Sequence, residues 1–273
     1  MKYLIPFTLL AAVAALIGGC GGSPEPAATD QRAVTLDTLT AGPAQAGGPV
    51  TVAWRFTLAD DWHLYWTGRN DSGYPPSVAL ELPAGWSAGE LHWPPPERLV
   101  MPGDILDHVY HHELVLLQEL APPDGWDPGD GAGFPATVRW LACREMCVPG
   151  DTTLTVAFPA AGPDPESAKV IAAARKALPG TLPDGLPVWS WTGDTLHLHL
   201  PESKRLAFYP DRDSGALVDA IAEGEAEGDR LQLRFRPLNG VVGPAKGLLV
   251  QTAADGTDRA YHVSLPGPAS GSP

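Results

Sequence analysis

Cys143 and Cys147 are the residues in this chain whose type and spacing most directly suggest chemistry. They stand in Trp140-Leu141-Ala142-Cys143-Arg144-Glu145-Met146-Cys147-Val148-Pro149, and the third cysteine, Cys20, lies far upstream. Two neighbouring thiols can close a disulfide, hold a soft metal, or pass electrons by thiol–disulfide exchange, in which the thiolate is the reacting species. In one continuous strand, residues four apart are separated by about 13 Å, at roughly 3.3 Å per residue, whereas a disulfide needs Cα atoms within about 7 Å. A bond between them therefore requires a turn or bulge at Arg144-Glu145-Met146, or one cysteine ending a strand and the other opening the next segment. So small a ring gains little loop-closure entropy, which grows with loop length. It is a weak staple and a better redox device. The spacing is not the Cys-X-X-Cys of thioredoxin folds. A structural disulfide, common in exported proteins, stays open on spacing alone. Arg144 would stabilise a thiolate and Glu145 would oppose it.

Histidines offer a rival chemistry. His63, His92, His108, His111 and His112 lie in the same half as the pair. Cys143, Met146, Cys147 and His111 form the alternative set for copper(I) or zinc. The tandem His111-His112 would point to opposite faces of a strand, so both do not easily join one site. His197 and His199 alternate with Leu196, Leu198 and Leu200, on a solvated strand face. No Gly-X-Ser-X-Gly, phosphate loop or nucleotide motif occurs, so no cofactor is expected. Asp60-Asp61 reads as a turn.

The elements that must position these residues are mostly short strands. Val50–Leu58, Trp62–Trp66, Ser77–Leu82, Glu113–Leu120, Ala136–Cys143 and Thr152–Phe158 are apolar or alternating runs separated by Gly, Pro and Asp turns, the pattern of an all-β sandwich. Residues 160–180 break it. Asp164 fits an N-cap, Pro165 the first helical position and Glu166 the first turn, with Pro179-Gly180 as the stop. Beyond Pro187 strands return at 186–191, 195–200, 205–209, 230–236, 248–252 and 260–265, and residues 221–229 read as an acidic turn. The fold class expected is all-β, two immunoglobulin-like sandwiches joined by a short helix.

Met1-Lys2, the apolar run Leu4–Ile17 and Ile17-Gly18-Gly19-Cys20 make a signal peptide too short to span a bilayer as a mature helix. The small residues before Cys20 resemble a bacterial lipobox, which implies cleavage before Cys20 and lipidation of its sulfur, with anchoring through acyl chains alone. The alternative is an ordinary signal peptide leaving Cys20 free. Gly21, not Asp, follows the cysteine and favours outer-membrane sorting. The domain plan is a signal peptide at 1–19, a flexible tether at 20–32, a cysteine-bearing sandwich at 33–160, a linker helix at 161–185, a second sandwich at 186–266 and a disordered tail at 267–273. The formal charge of −14, one more negative once Lys2 is removed, argues against nucleic acid as a partner. It serves solubility instead.

Four motifs occur in order: Trp62-His63-Leu64-Tyr65-Trp66, Asp71-Ser72-Gly73-Tyr74-Pro75-Pro76, Trp93-Pro94-Pro95-Pro96, and Trp140-Leu141-Ala142-Cys143 with Cys147-Val148-Pro149. Together they resemble the N-terminal periplasmic domain of the thiol:disulfide interchange protein DsbD, in the longer form of suppressor-of-copper-sensitivity type relatives. The resemblance covers roughly residues 34–160, with fainter likeness at Phe208-Tyr209-Pro210 and Leu238-Asn239-Gly240. It implies an immunoglobulin-like sandwich in which Cys143 and Cys147 are the redox pair and Cys147 attacks the partner. It implies electrons received from a membrane-embedded donor and passed to periplasmic disulfide partners. It also implies a loop that shields the pair, for which Asp71 and Tyr74 are the candidates; a plain Gly-Pro turn is the alternative there. Trp62, Tyr65 and Trp66 are expected in the core, where aromatics dominate. Full-length members continue into a transmembrane and a thioredoxin-like domain. This chain ends at Pro273, so a separate membrane donor is expected.

Overall fold

The structure, a computed structural model, describes residues 33–41, 48–127, 132–158 and 164–268. The expected signal peptide, tether, Cys20 and C-terminal tail from 269 onward lie outside the described residues. Among the described residues no helix is long and apolar enough to cross a membrane.

The described residues form an all-β architecture of four antiparallel sheets with two helices. The first sheet orders β1 (Val34–Thr40), β2 (Val50–Leu58), β8 (Glu113–Ala121) and β5 (Ser87–His92). The second orders β10 (Cys147–Phe158), β9 (Ala132–Cys143), β3 (His63–Tyr65), β7 (Ile105–His111) and β6 (Glu97–Met101), with β4 (Ser77–Leu80) also pairing β9. Alternation along β2 sends Val52, Trp54 and Phe56 into the space between these sheets, where they meet Leu64, Trp66, Phe134, Val138 and Val156. Ala53 and Leu117 face the other way. They are covered by Ile171 of α1 (Pro165–Ala177), whose Asp164 cap accepts from the backbone N–H groups of Glu166 and Ser167 as the sequence predicts.

The second pair of sheets orders β11 (Val188–Thr192), β12 (Thr195–His199) and β15 (Arg230–Arg234) against β14 (Glu225–Glu227), β13 (Ser203–Pro210), β16 (Ala245–Ala253) and β17 (Asp258–Leu265). Their core holds Leu196, Leu198, Leu206, Phe208, Leu233, Phe235 and Leu249. The intervening residues of β13 and β16, namely Ala207, Tyr209, Leu248 and Val250, join the first sandwich's core instead. This sheet is therefore buried on both faces, a common wall between the two sandwiches. Arg69 crosses the junction to the Ser214 carbonyl at 2.7 Å, and Arg98 to the carbonyls of Ala220 and Ile221 at 2.9 and 3.1 Å.

Two local expectations are corrected. Residues 221–229 are not a simple turn. Asp219 caps a short helix α2 (Ala220–Glu223), and β14 follows as an edge strand with Ala226 turned inward. The acidic side chains are held outside by ion pairs, Glu223 to Arg234 at 2.9 Å and Glu225 to Arg205 at 3.5 Å. His112 does not continue the strand of His111. It adopts a left-handed conformation, φ 62°, where the chain leaves β7 in one sheet for β8 in the other. Histidine is among the residues that tolerate that region.

Candidate functional site: a disulfide across the mouth of a hairpin

Strands β9 and β10 pair over their full lengths, and the last rung before the turn is Cys143 opposite Cys147. The two are joined by a disulfide with Cα atoms 4.0 Å apart. The turn required by the spacing is Arg144-Glu145-Met146, closed by the Arg144 N–H donating to the Met146 carbonyl at 3.2 Å. Trp140 reinforces the hairpin. Its indole lies over Gly150, where an added Cβ would come within 2.5 Å of the ring, and it meets Phe56 in the core edge-to-face at a centroid distance of 6.1 Å.

The two sulfurs sit in different surroundings. Cys143 is 3 % exposed and packs with Tyr65, Val109 and Leu141. Cys147 is exposed. Beside it Met146 projects into solvent at 76 % exposure. The Arg144 guanidinium stacks over the Trp62 ring at 5.2 Å and so is held to one side of the turn.

Beneath the hairpin lies a polar network. The Tyr65 hydroxyl is 3.8 Å from Cys147 Sγ, 3.3 Å from Ser72 Oγ and 3.4 Å from His63 Nε2. Ser72 Oγ donates in turn to Asp107 Oδ2. Asp107, fully buried, also accepts from the backbone N–H groups of Asp71 and Ser72 at 2.9 and 3.0 Å. His63 is cross-strand partner of both Cys143 and His111. Its pKa is lowered, first by burial and then by nearby His111, with Asp107 working the other way. Burial raises that of Tyr65.

Of the loop candidates, Asp71 is exposed, its carboxylate accepting from the Leu106 N–H at 2.8 Å, and Tyr74 is half-exposed at 50 %. The loop member that joins the sulfur network is Ser72. Gly73 lies flat on the Tyr65 ring, where a Cβ would be 2.1 Å from it. Tyr65, expected as a core residue, buries its ring and also brings its hydroxyl to Cys147. His63 and Ser72 lie inside two of the four motifs without being singled out for the sulfur, and Asp107 lies outside all four. The available signal was positional, His63 and Tyr65 alternating on one face of β3. The alternative metal set does not assemble. Among the described residues no group of three or more His, Cys, Asp or Glu is placed to hold a metal ion, and His111 turns to Glu97 at 3.0 Å.

The sequence profile of the family "Thiol:disulfide interchange protein DsbD, N-terminal" matches residues 32–159. That stretch of the chain is similar to the DsbD N-terminal family. The N-terminal periplasmic domain of ScsB from Proteus mirabilis has the same fold at a TM-score of 0.56. It is 18 % identical, with 86 % of this chain and 92 % of that one covered, so the likeness extends past the DsbD N-terminal segment into the second sandwich. The reduced DsbD N-terminal domain of Neisseria meningitidis covers 49 % of this chain and 93 % of its own, at 17 % identity and a TM-score of 0.34. No curated protein sequence matches the chain.

Proposed function

We propose that the protein is a periplasmic thiol–disulfide exchange module that passes reducing equivalents to partner proteins through Cys143 and Cys147. The observation that carries this reading is the asymmetry of the disulfide: one sulfur exposed, the other buried, across a hairpin already paired to its last rung. A bond at that position adds little to the fold, because the ring it closes is short. It leaves one sulfur open to attack. Cys147 is the sulfur that forms the mixed disulfide with a partner, and Cys143 is the resolving thiol. The match of residues 32–159 to the DsbD N-terminal family supports the same chemistry. Exposed Met146 suits a surface that meets more than one partner, since its unbranched thioether side chain adapts to different contacts. The loop of Asp71 and Tyr74 is the proposed cover of the pair. A membrane thiol protein is the proposed electron donor, and a lipid on Cys20 the proposed anchor to the envelope.

Equilibration in a dithiothreitol or glutathione series, read by thiol alkylation, tests the reading. The expected result is reversible interconversion with the fold retained and a potential above about −300 mV. A potential far below that value would class the bond with inert structural disulfides and overturn the proposal.

A further inference from the structure

We infer that His63 is the proton acceptor for Cys147 in the reduced protein, reached through the Tyr65 hydroxyl. The inference rests on the exchange reading above and names how the attacking thiol is ionised.

The hydrogen-bond inventory leads to it. Tyr65 has one hydroxyl proton and three neighbours, Cys147 Sγ, Ser72 Oγ and His63 Nε2. Ser72 has committed its own proton to Asp107, so toward Tyr65 it only accepts. In the disulfide, Cys147 also only accepts. Reduction changes this, because the Cys147 thiol acquires a proton that can be donated to a Tyr65 lone pair. The Tyr65 proton must then move on, to Ser72 and Asp107 or to His63. Asp107 already takes three donors, and carboxylates, ionising near pH 4, are weak bases. Imidazole is the stronger base. The groups facing His63 are Tyr65 on its own strand, His111 and Asp107 on β7, Cys143 on β9, and Glu97 on β6 by way of His111. Burial and His111 together keep His63 uncharged near neutrality, with a lone pair free to take a proton.

The Cys147 S–H bond breaks, its proton passes to Tyr65 Oη, and the Tyr65 proton passes to His63 Nε2, giving an imidazolium. The Cys147 thiolate attacks one sulfur of a partner disulfide. A Cys147–partner bond forms, and the partner's S–S bond breaks with its electron pair on the departing thiolate, which takes a proton. Cys143, deprotonated in its turn, then attacks Cys147. The hairpin disulfide re-forms and the second partner thiolate leaves. Two electrons and two protons end on the partner.

The test is the second-order rate of the reduced protein with oxidised glutathione between pH 5.5 and 9.5. His63→Gln keeps a hydrogen-bonding group but takes no proton. It is expected to slow the reaction about 10²-fold at pH 7. The profiles should converge well above the ordinary thiol pKa of about 8.5, where Cys147 ionises unaided, and that convergence also reports a folded variant. Tyr65→Phe should show the same loss, and the double variant no further loss. If His63→Gln does not fold, the wild-type rate at pH 7 should still fall in D₂O, and no isotope effect would overturn the inference. A His63→Gln profile equal to wild type, with Ser72→Ala carrying the loss, would move the acceptor to Asp107 and overturn it as well. Failure of the wild-type protein to react even at pH 9.5 would instead sink the exchange reading itself.

Discussion

Asp107 holds the loop beside the sulfurs in place. Its carboxylate is fully buried and receives two backbone amides and the Ser72 hydroxyl. Removing it takes this acceptor from the Ser72 amide and hydroxyl and leaves the Asp71 amide only the Leu106 carbonyl at 3.3 Å, and each unsatisfied buried group costs about 1–3 kcal/mol. Asp107→Ala is therefore expected to lose about 3 kcal/mol in urea unfolding. It should also free the Ser72–Gly73 turn from Tyr65, so that dithiothreitol reduces the disulfide faster. An unchanged reduction rate would show that the loop does not cover the pair. At this scale the sequence was uneven. The cysteines announce themselves by type and spacing. Ser72 and Asp107 meet only because β7 returns beside the loop, and no local pattern encodes a contact between residues that far apart. Tyr65 is legible as core from its ring, but its hydroxyl's partner depends on where β10 begins.

The β9–β10 hairpin holds the two sulfurs in register. Twelve consecutive rungs pair the strands, and Trp140 over Gly150 locks them to Phe56. Gly150→Ala drives a methyl into the indole and is expected to cost about 1–3 kcal/mol, as overpacking commonly does, with a changed near-UV tryptophan spectrum. The cysteine pair should remain able to oxidise, because the register is set by the whole ladder. β2 is legible because its alternation is strong and its flanks carry Gly, Pro and Asp, and β8 because its apolar run ends at Pro122-Pro123. β5, β6 and β7 are not. β5 carries Gly89 and an irregular register between Ala88 and Leu91. β7 buries Leu106 through Tyr110 on both faces, Asp107 and His108 included, so period-2 alternation is absent. The capping signals of α1 are legible because they are local.

At the scale of the molecule, His108 sits where the sandwiches meet, between Trp66 and Tyr209 at centroid distances of 5.8 and 5.2 Å. Its Nδ1–H donates to the Arg69 carbonyl at 2.6 Å, and Nε2 has no hydrogen-bond partner. Burial foremost, with Arg98 nearby, lowers its pKa to about 4 against the Arg69 hydrogen bond. In the unfolded chain a histidine takes its proton near pH 6.5. The neutral ring's contribution is thus fully present above pH 6.5 and is lost as pH falls through about 4. The difference is worth about 3 kcal/mol. His108→Asn, which keeps a donor for Arg69, is expected to flatten the fall in stability between pH 6.5 and 4, measured by urea unfolding across that range. The two sandwiches were foreseeable from strand count and the helix between them, but their union was not, because residues of alternate parity on β13 and β16 serve different cores.

That double duty bears on how the protein can be cut. The family match stops at 159, yet the first core is completed by Ala207, Tyr209, Leu248 and Val250. A fragment ending near 160 would carry the cysteines but show Trp66 and His108, which pack on Tyr209, to water along its missing wall. Calorimetry of the intact chain should give a single melting transition, and the fragment should aggregate or melt far lower. The smallest piece able to fold well enough to do the chemistry is then longer than the stretch that holds the sulfurs.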